Sequence, residues 1–157
     1  MATKKEDEGA IITNRKAFRD FAVLDTMECG IVLQGTEVKS LRDHRGNLGD
    51  SFARIVKNEV FLFNVHINPY DFGNLNNHEP TRTRKLLLHK REIQRLLGQV
   101  GSKGLTLVPL KLYFKNGRVK VQLAIAKGKT GVDKRQTLRR KATELEIQKE
   151  LRRRQKV

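Results

Sequence analysis

Two short stretches, GTEVKSLR and TRTRKLLLHK, combine cations that bind phosphate with groups that can hydrogen-bond a base or a ribose. Arg82, Arg84 and Lys85 lie within four positions of one another, and guanidinium and ammonium groups at this density suit a polyanion. A charge run of this kind is also typical of a solvated surface that only maintains solubility. The pattern predicts a helix that starts within this stretch. Cations there oppose the helix dipole, so their placement favours binding.

In the first stretch, Glu37 is an acid placed between the cations Lys39 and Arg42. It could orient these two side chains, or accept a hydrogen bond from a base or a ribose hydroxyl. A surface salt bridge is the simpler interpretation when the residue is considered alone.

Catalytic patterns are absent from the sequence. The segment GKTG at 128–131 lacks the glycine spacing of a phosphate-binding loop, and no paired carboxylates flank a glycine-rich turn. The histidines are scattered, without a nucleophile motif or metal-ligand spacing: His44, His66, His78 and His89. We therefore expect a binding protein and not an enzyme, with no metal and no cofactor.

The positive charge is concentrated in the second half of the chain. The formal net charge is +16, yet residues 1–79 carry ten Lys or Arg against twelve acids. Residues 80–120 carry eleven cations against one acid, and residues 127–157 carry twelve against four. This asymmetry predicts a nucleic-acid partner. An anionic membrane surface is less favoured, because the chain has no Trp and its last thirty residues have no aromatic residue.

The cysteine content and the absence of long apolar runs in the sequence indicate the cellular compartment. Its single cysteine, Cys29, excludes an internal disulfide and suits a reducing environment. No apolar run approaches the roughly 18 residues of a membrane helix, and the start of the chain does not resemble a signal peptide. We expect a soluble cytoplasmic protein, monomeric and without a membrane partner.

Hydrophobic alternation predicts six strands in three hairpins. These surround Gly30, the segment KNE at 57–59 and the segment KNG at 115–117, with a short helix in EVKSLR before Gly46. One long helix is predicted in TRTRKLLLHKREIQRLLGQVG. Its expected N-cap is Thr81 or Thr83, and Gly101 would end it. Arg84 would lie on the outward polar face. The residues expected on the apolar stripe are Leu86, Ile93, Leu97 and Val100.

The predicted fold is mainly β with helices, a six-stranded antiparallel closed barrel of the OB type. We expect a disordered lead over 1–13, the barrel over 14–129 and a basic tail over 130–157. The tail has too few apolar residues to fold alone, so it should be disordered when free. Residues 134–154 could become helical on a partner.

Five separated blocks carry a resemblance to a known family. GIVLQGTEVKSLR, NNHEPTRTRKLLLHKREI, GLTLVPLKLYF, GRVKVQLAIAKGK and DKR occur in this order, from about Asn14 to the end of the chain. Together they resemble the SmpB family of SsrA-binding proteins. The resemblance implies a barrel that clasps the transfer-RNA-like domain of transfer-messenger RNA. It also implies a tail that enters the decoding region of a stalled ribosome, where the family acts in trans-translation.

The resemblance also implies particular site residues. RNA-binding positions fall on Glu37, Leu87 and His89, and by extension on Lys39 and Arg42, while Asp133, Lys134 and Arg135 fall on the tail positions needed for peptide tagging. Two positions differ from the family pattern. His89 stands where some members have Asn, and Val132 stands where an aromatic residue or His is frequent. Lys134 and Arg135 would then supply most of the tail contact.

Two other functions remain open from the residues alone. A different OB-fold RNA-binding protein, such as a ribosomal or translation-factor module, could use the tail as a nonspecific anchor. An RNA phosphodiesterase is a weaker alternative, because metal-binding carboxylates are missing.

Overall fold

The computed structural model describes residues 9–73, 75 and 77–154, and helices and strands account for most of this part of the chain. In chain order the elements are β1 Ala10–Thr13, α1 Arg15–Asp20, β2 Phe21–Ile31, α2 Gly35–Arg42, β3 Gly46–Asn47, β4 Phe52–Val56, β5 Glu59–Phe63, β6 His66–Ile67, β7 Arg84–Leu87, α3 Lys90–Lys103, β8 Thr106–Lys115, β9 Arg118–Gly128 and α4 Gly131–Arg154.

Six of the strands pair antiparallel in a closed ring, in the order β8, β4, β5, β7, β2, β9 and back to β8. This arrangement confirms the expected ring of six antiparallel strands. Closure gives each strand of the ring a neighbour on both sides for at least part of its length, which limits the edge open to another chain. β1 adds to the ring from outside by pairing with β8, and β3 pairs with β6 in a separate small sheet.

Two of the three expected hairpins are confirmed. The β8–β9 turn has Asn116 and Gly117 at φ of 52° and 74°, and the β4–β5 turn has Lys57 and Asn58 at φ of 49° and 60°. Positive φ at both central residues gives the turn a twist that matches the twist of the flanking strands. These tight turns set the register of both hairpins.

The third expected hairpin is wrong, because β2 runs through Gly30 as one continuous strand. The sixth strand of the ring is instead β7, which lies in the segment predicted to begin the long helix. Leu86 is buried in this strand, and β7 fills the gap between β5 and β2. A leucine-rich run suits a buried strand as well as a helix, so local pattern alone could not separate the two.

The long helix therefore starts later and ends later than predicted. His89 is its N-cap, so neither Thr81 nor Thr83 is the cap, and Gly104 ends it with φ of 60°. This left-handed conformation is one that glycine adopts without strain. Ile93 faces the core together with Leu96, whereas Leu97 is 37% exposed and is not part of the buried stripe.

The folded region also begins earlier than position 14. Ala10–Thr13, part of the expected disordered lead, form β1 against β8. The buried Asn14 side chain then ties this segment to the ring by donating to the carbonyl oxygens of Leu48 and Pro109, at 3.1 and 2.9 Å. Residues 1–8 of that lead lie outside the described residues.

The core fills the interior of the ring. Its members alternate along the strands with outward-facing residues and are almost fully buried, among them Leu62, Leu86, Leu107, Leu112, Leu123 and Ile125. Within the residues described, no helix is both long enough and apolar enough to span a membrane.

Candidate nucleic-acid interface

Glu37 occupies the first turn of α2, and its side chain is fully buried. Its carboxylate accepts the backbone N–H of Gln34 at 2.8 Å, which caps the helix. The same carboxylate accepts Arg82 Nε and Nη2, both at 2.7 Å, and Arg84 Nε at 2.9 Å. Glu37 therefore joins α2 to the chain around β7.

The expected pairing of Glu37 with Lys39 and Arg42 is wrong, and so is the surface salt bridge. Burial opposes ionisation of Glu37. The hydrogen bonds from Arg82 and Gln34 and the charge of Arg84 outweigh it and hold the pKa of the carboxyl below its ordinary value. A buried carboxylate with this many donors has little capacity left for a base or a ribose, so it acts by holding other residues in place.

Arg84 is fully buried and does not project outward as predicted. Besides Glu37, its guanidinium donates to the carbonyl oxygens of Val65 at 2.7 Å and of Arg82 and Pro80 at 3.1 Å each. Since Arg84 begins a strand and not a helix, the helix-dipole argument does not apply to it. Arg84 fixes the path of the segment that leads into β7.

The other two cations of this stretch are also engaged. Arg82 is only 24% exposed, and it donates to the Val32 carbonyl at 3.3 Å in addition to Glu37. Lys85 forms an ion pair with Glu59 at 2.8 Å, and both side chains are partly exposed. Such a surface pair is weak, so Lys85 can exchange Glu59 for a phosphate at little cost.

We call a set of five exposed or partly exposed residues the α2 face. It consists of Lys39, Arg42, Leu87, His89 and Lys120. Lys39 and Arg42 are exposed on α2, and Leu87 is 52% exposed on β7. His89 is exposed at the start of α3, where its backbone N–H donates to Glu92 at 2.8 Å.

Lys120 was missed at the sequence level. Gly30 of β2 pairs with Leu87 on one side and with Lys120 on the other, so these three residues share one row across the ring. A Cβ at Gly30 would lie 3.1 Å from the Leu87 Cβ, so Leu87 packs closely over the glycine. The alternation in GRVKVQL, with Val119 and Val121 buried, is the signal that places Lys120 outward.

The tail starts with a capped helix. The Thr130 hydroxyl donates to Asp133 Oδ2 at 2.8 Å, and the Asp133 backbone N–H donates back to Thr130 Oγ1 at 3.3 Å. Asp133 thus fixes the beginning of α4, as a carboxylate in the first turn of a helix does. The helix spans Gly131–Arg154, whereas the sequence predicted a helix over 134–154 only on a partner.

One ion pair connects the tail to α1. Lys134 Nζ lies 3.5 Å from Asp20 Oδ1, and the Lys129 backbone N–H donates to the Asp20 carbonyl at 2.9 Å. Arg19, and more weakly Lys134, lowers the pKa of Asp20. Arg135 is exposed, as are nearly all described side chains that follow it.

The loop histidine His78 has a structural role. It is buried, with Nδ1 at 3.0 Å from the Thr36 hydroxyl and Nε2 at 2.8 Å from the Ile67 carbonyl oxygen. Its two partners lie 42 and 11 positions away in the chain, so His78 ties its loop to α2 and to β6. In the part of the chain that the structure describes, no group of three or more His, Cys, Asp or Glu could hold a metal ion.

The ring and the α2 face together define a nucleic-acid-binding protein built on a closed antiparallel sheet. The sequence profile of the SmpB protein family matches residues 11–153. The chain belongs to this family.

Curated relatives agree over almost the whole chain. An SsrA-binding protein of Geobacillus thermodenitrificans is 56% identical over 151 residues, covering 96% of this chain and 97% of the relative. One from Geobacter sulfurreducens is 54% identical over 149 residues, covering 95% and 97%. A solved structure described as "tmRNA-SmpB: a journey to the center of the bacterial ribosome" matches with a TM-score of 0.67 and 50% identity, covering 82% of this chain and 94% of its own.

Proposed function

We propose that this protein binds transfer-messenger RNA through the transfer-RNA-like domain of that RNA and delivers it to stalled ribosomes for trans-translation. The names of its relatives and the ribosomal complex of its structural neighbour support this role. We place the protein in the cytoplasm, where ribosomes translate. The role is one of binding and not of catalysis.

The α2 face supports the RNA contact. It presents Lys39, Arg42 and Lys120 as cations for phosphates, and the apolar side chain of Leu87, in one row with Lys120, for a base or a ribose. Glu37, Arg82 and Arg84 do not need to touch RNA in this arrangement. They hold α2 against the segment before β7 and so keep Lys39 and Arg42 in register with Leu87.

The tail supports the ribosomal half of the proposal. α4 has 24 residues and is therefore about 36 Å long, enough to run along an empty messenger channel. We assign Asp133, Lys134 and Arg135 to the decoding site, with Asp133 shaping the helix start and the two cations contacting ribosomal RNA. Val132 is exposed but cannot stack on a base as an aromatic ring would.

The experiment that tests the RNA assignment is recovery and sequencing of RNA bound to the full chain in cells, followed by titration at physiological salt. Transfer-messenger RNA should dominate and should bind more tightly than transfer RNA. Affinity should fall steeply as salt rises, because several phosphates release counterions. Equal binding of bulk transfer RNA or ribosomal RNA would instead support a general translation-factor module.

A further inference from the structure

Two aromatic rings, the exposed Phe72 and the partly buried Tyr70, lie next to Lys39 of the α2 face. Phe72 is 82% exposed, and its ring meets the Tyr70 ring edge-on, with centroids 5.6 Å apart and planes at 65°. Lys39 Nζ lies over the Tyr70 ring, 5.5 Å from its centroid. A cation of the α2 face therefore lies against the Tyr70 ring, which in turn meets the Phe72 ring.

The loop that carries this pair is held firmly at its base. Asn77 accepts the Tyr70 backbone N–H at 2.8 Å and donates to the Tyr70 carbonyl at 2.9 Å. The Gly73 backbone N–H donates to the same carbonyl at 2.9 Å, and a Cβ at Gly73 would lie only 2.6 Å from Asn77 Oδ1. Tyr70 is thus tied to both Gly73 and Asn77.

Two further contacts attach the loop to α2 and the residues after it. The Ser40 hydroxyl donates to the Asn68 carbonyl at 2.6 Å, and Arg45 donates to Asp71 at 2.6 Å. All of these contacts position backbone and polar groups, and none of them buries the Phe72 ring. Burial in the core therefore does not explain why a large apolar side chain is held at this place.

We propose that Phe72 is a stacking platform for an unpaired base in the loops of the bound RNA. Tyr70 holds the orientation of the Phe72 ring, and Lys39 contacts the phosphate next to that base. An exposed ring beside a cation is the combination by which proteins bind single-stranded RNA, because every base has a face that can stack. The proposal rests on the proposed function and adds a contact for which the sequence offers no motif.

The first test uses three variants of the full chain: Phe72→Ala, Phe72→Leu and Phe72→Trp. Stacking of one base predicts that Phe72→Ala and Phe72→Leu each weaken binding of the transfer-RNA-like domain about 5- to 150-fold. Phe72→Trp should keep the affinity. The slope of affinity against salt should not change, since stacking releases no counterions. Affinity for a plain RNA duplex with the same number of phosphates should be unchanged.

The second test uses the absence of tryptophan from the wild-type chain. Phe72→Trp introduces a single fluorophore, and a base stacked on it should quench its emission. The transfer-RNA-like domain should quench this emission, and the duplex should not. Leu24→Trp is the matched control, because Leu24 is also exposed but lies on β2 six positions before Gly30, and it should stay unquenched.

The outcomes separate this inference from the proposed function. If the wild-type chain does not select the transfer-RNA-like domain over transfer RNA, the proposed function fails. If selection is normal but Phe72→Ala binds as tightly as wild type, or Phe72→Trp is not quenched, stacking is rejected. Phe72→Leu with wild-type affinity would also reject it, since an aliphatic contact would then be sufficient. A loss confined to ribosome binding would assign Phe72 to a ribosomal partner instead.

Discussion

Replacing Glu37 with Ala should strongly destabilise the protein. The change leaves the fully buried Arg84 guanidinium without its counter-charge. It also removes the carboxylate that accepts hydrogen bonds from Arg82 and from the Gln34 backbone N–H at the start of α2. Breaking a buried ion pair in this way costs about 3–5 kcal/mol. The whole free energy of unfolding of a domain this size is about 5–15 kcal/mol. We expect the urea midpoint to fall accordingly, measured by circular dichroism.

Glu59→Ala is the matched control, because Glu59 is also paired with a cation but lies at the surface. An exposed pair contributes less than about 1 kcal/mol, so this variant should unfold close to wild type. Similar midpoints for the two variants would refute the stabilising role of the buried cluster. In combination with Arg84→Met, Glu37→Ala should cost less than the two single changes added together, because no unpaired buried charge then remains.

The difference between wild type and Glu37→Ala should depend on pH. The pKa of Glu37 is lower in the folded protein than its ordinary value of 4.5, so the unfolded chain binds the proton more tightly. The stabilisation by Glu37 is then fully present above about pH 4.5 and is lost as the pH falls through the folded pKa. Unfolding curves in that acidic range should converge, and a gap that is constant with pH would contradict the ion-pair explanation.

The same substitution should weaken RNA binding, although it raises the net positive charge. Electrostatics alone predicts tighter binding, so the sign of the change decides between the two explanations. We expect weaker binding because α2 loses its cap and its link to Arg82, and Lys39 and Arg42 lose their fixed positions. The titration requires a temperature at which circular dichroism shows the variant to be folded. Tighter binding by the folded variant would show that Glu37 has no positioning role.

Three further predictions concern the tail and the ring. Joint replacement of Asp133, Lys134 and Arg135 by Ala should abolish peptide tagging on stalled ribosomes and leave RNA affinity nearly unchanged; retained tagging would reject the decoding role. In the free protein, amide hydrogens beyond Gly131 should exchange rapidly, because α4 buries little of its surface and so gains little stability from packing; slow exchange there would contradict the expected free disorder. Lys120→Ala should weaken RNA binding and reduce the slope of affinity against salt by about one phosphate contact, whereas Lys16→Ala on α1 should do neither. Equal effects of the two changes would show that Lys120 does not contact RNA.

Several features could be predicted from the sequence because their causes are local. The turns at Lys57–Asn58 and Asn116–Gly117 need positive φ, and Asn58, Asn116 and Gly117 are residue types that tolerate it and can be identified in the sequence. The scarcity of apolar residues in the tail predicted that it would add little to the core, and nearly all described side chains of α4 are exposed. The concentration of positive charge after residue 80 predicts a nucleic-acid interface without any knowledge of the helices and strands.

Other features depended on contacts between residues far apart in the chain. Leu86 and Leu87 became strand because β5 and β2 left a gap in the ring that only a strand could close. Arg84, Arg82 and Glu37 look alike in the sequence, as charged residues expected at the surface. A carboxylate some 45 residues away made it possible to bury a guanidinium. Burial of a charge is decided by its partner, and only the tertiary structure brings the two together.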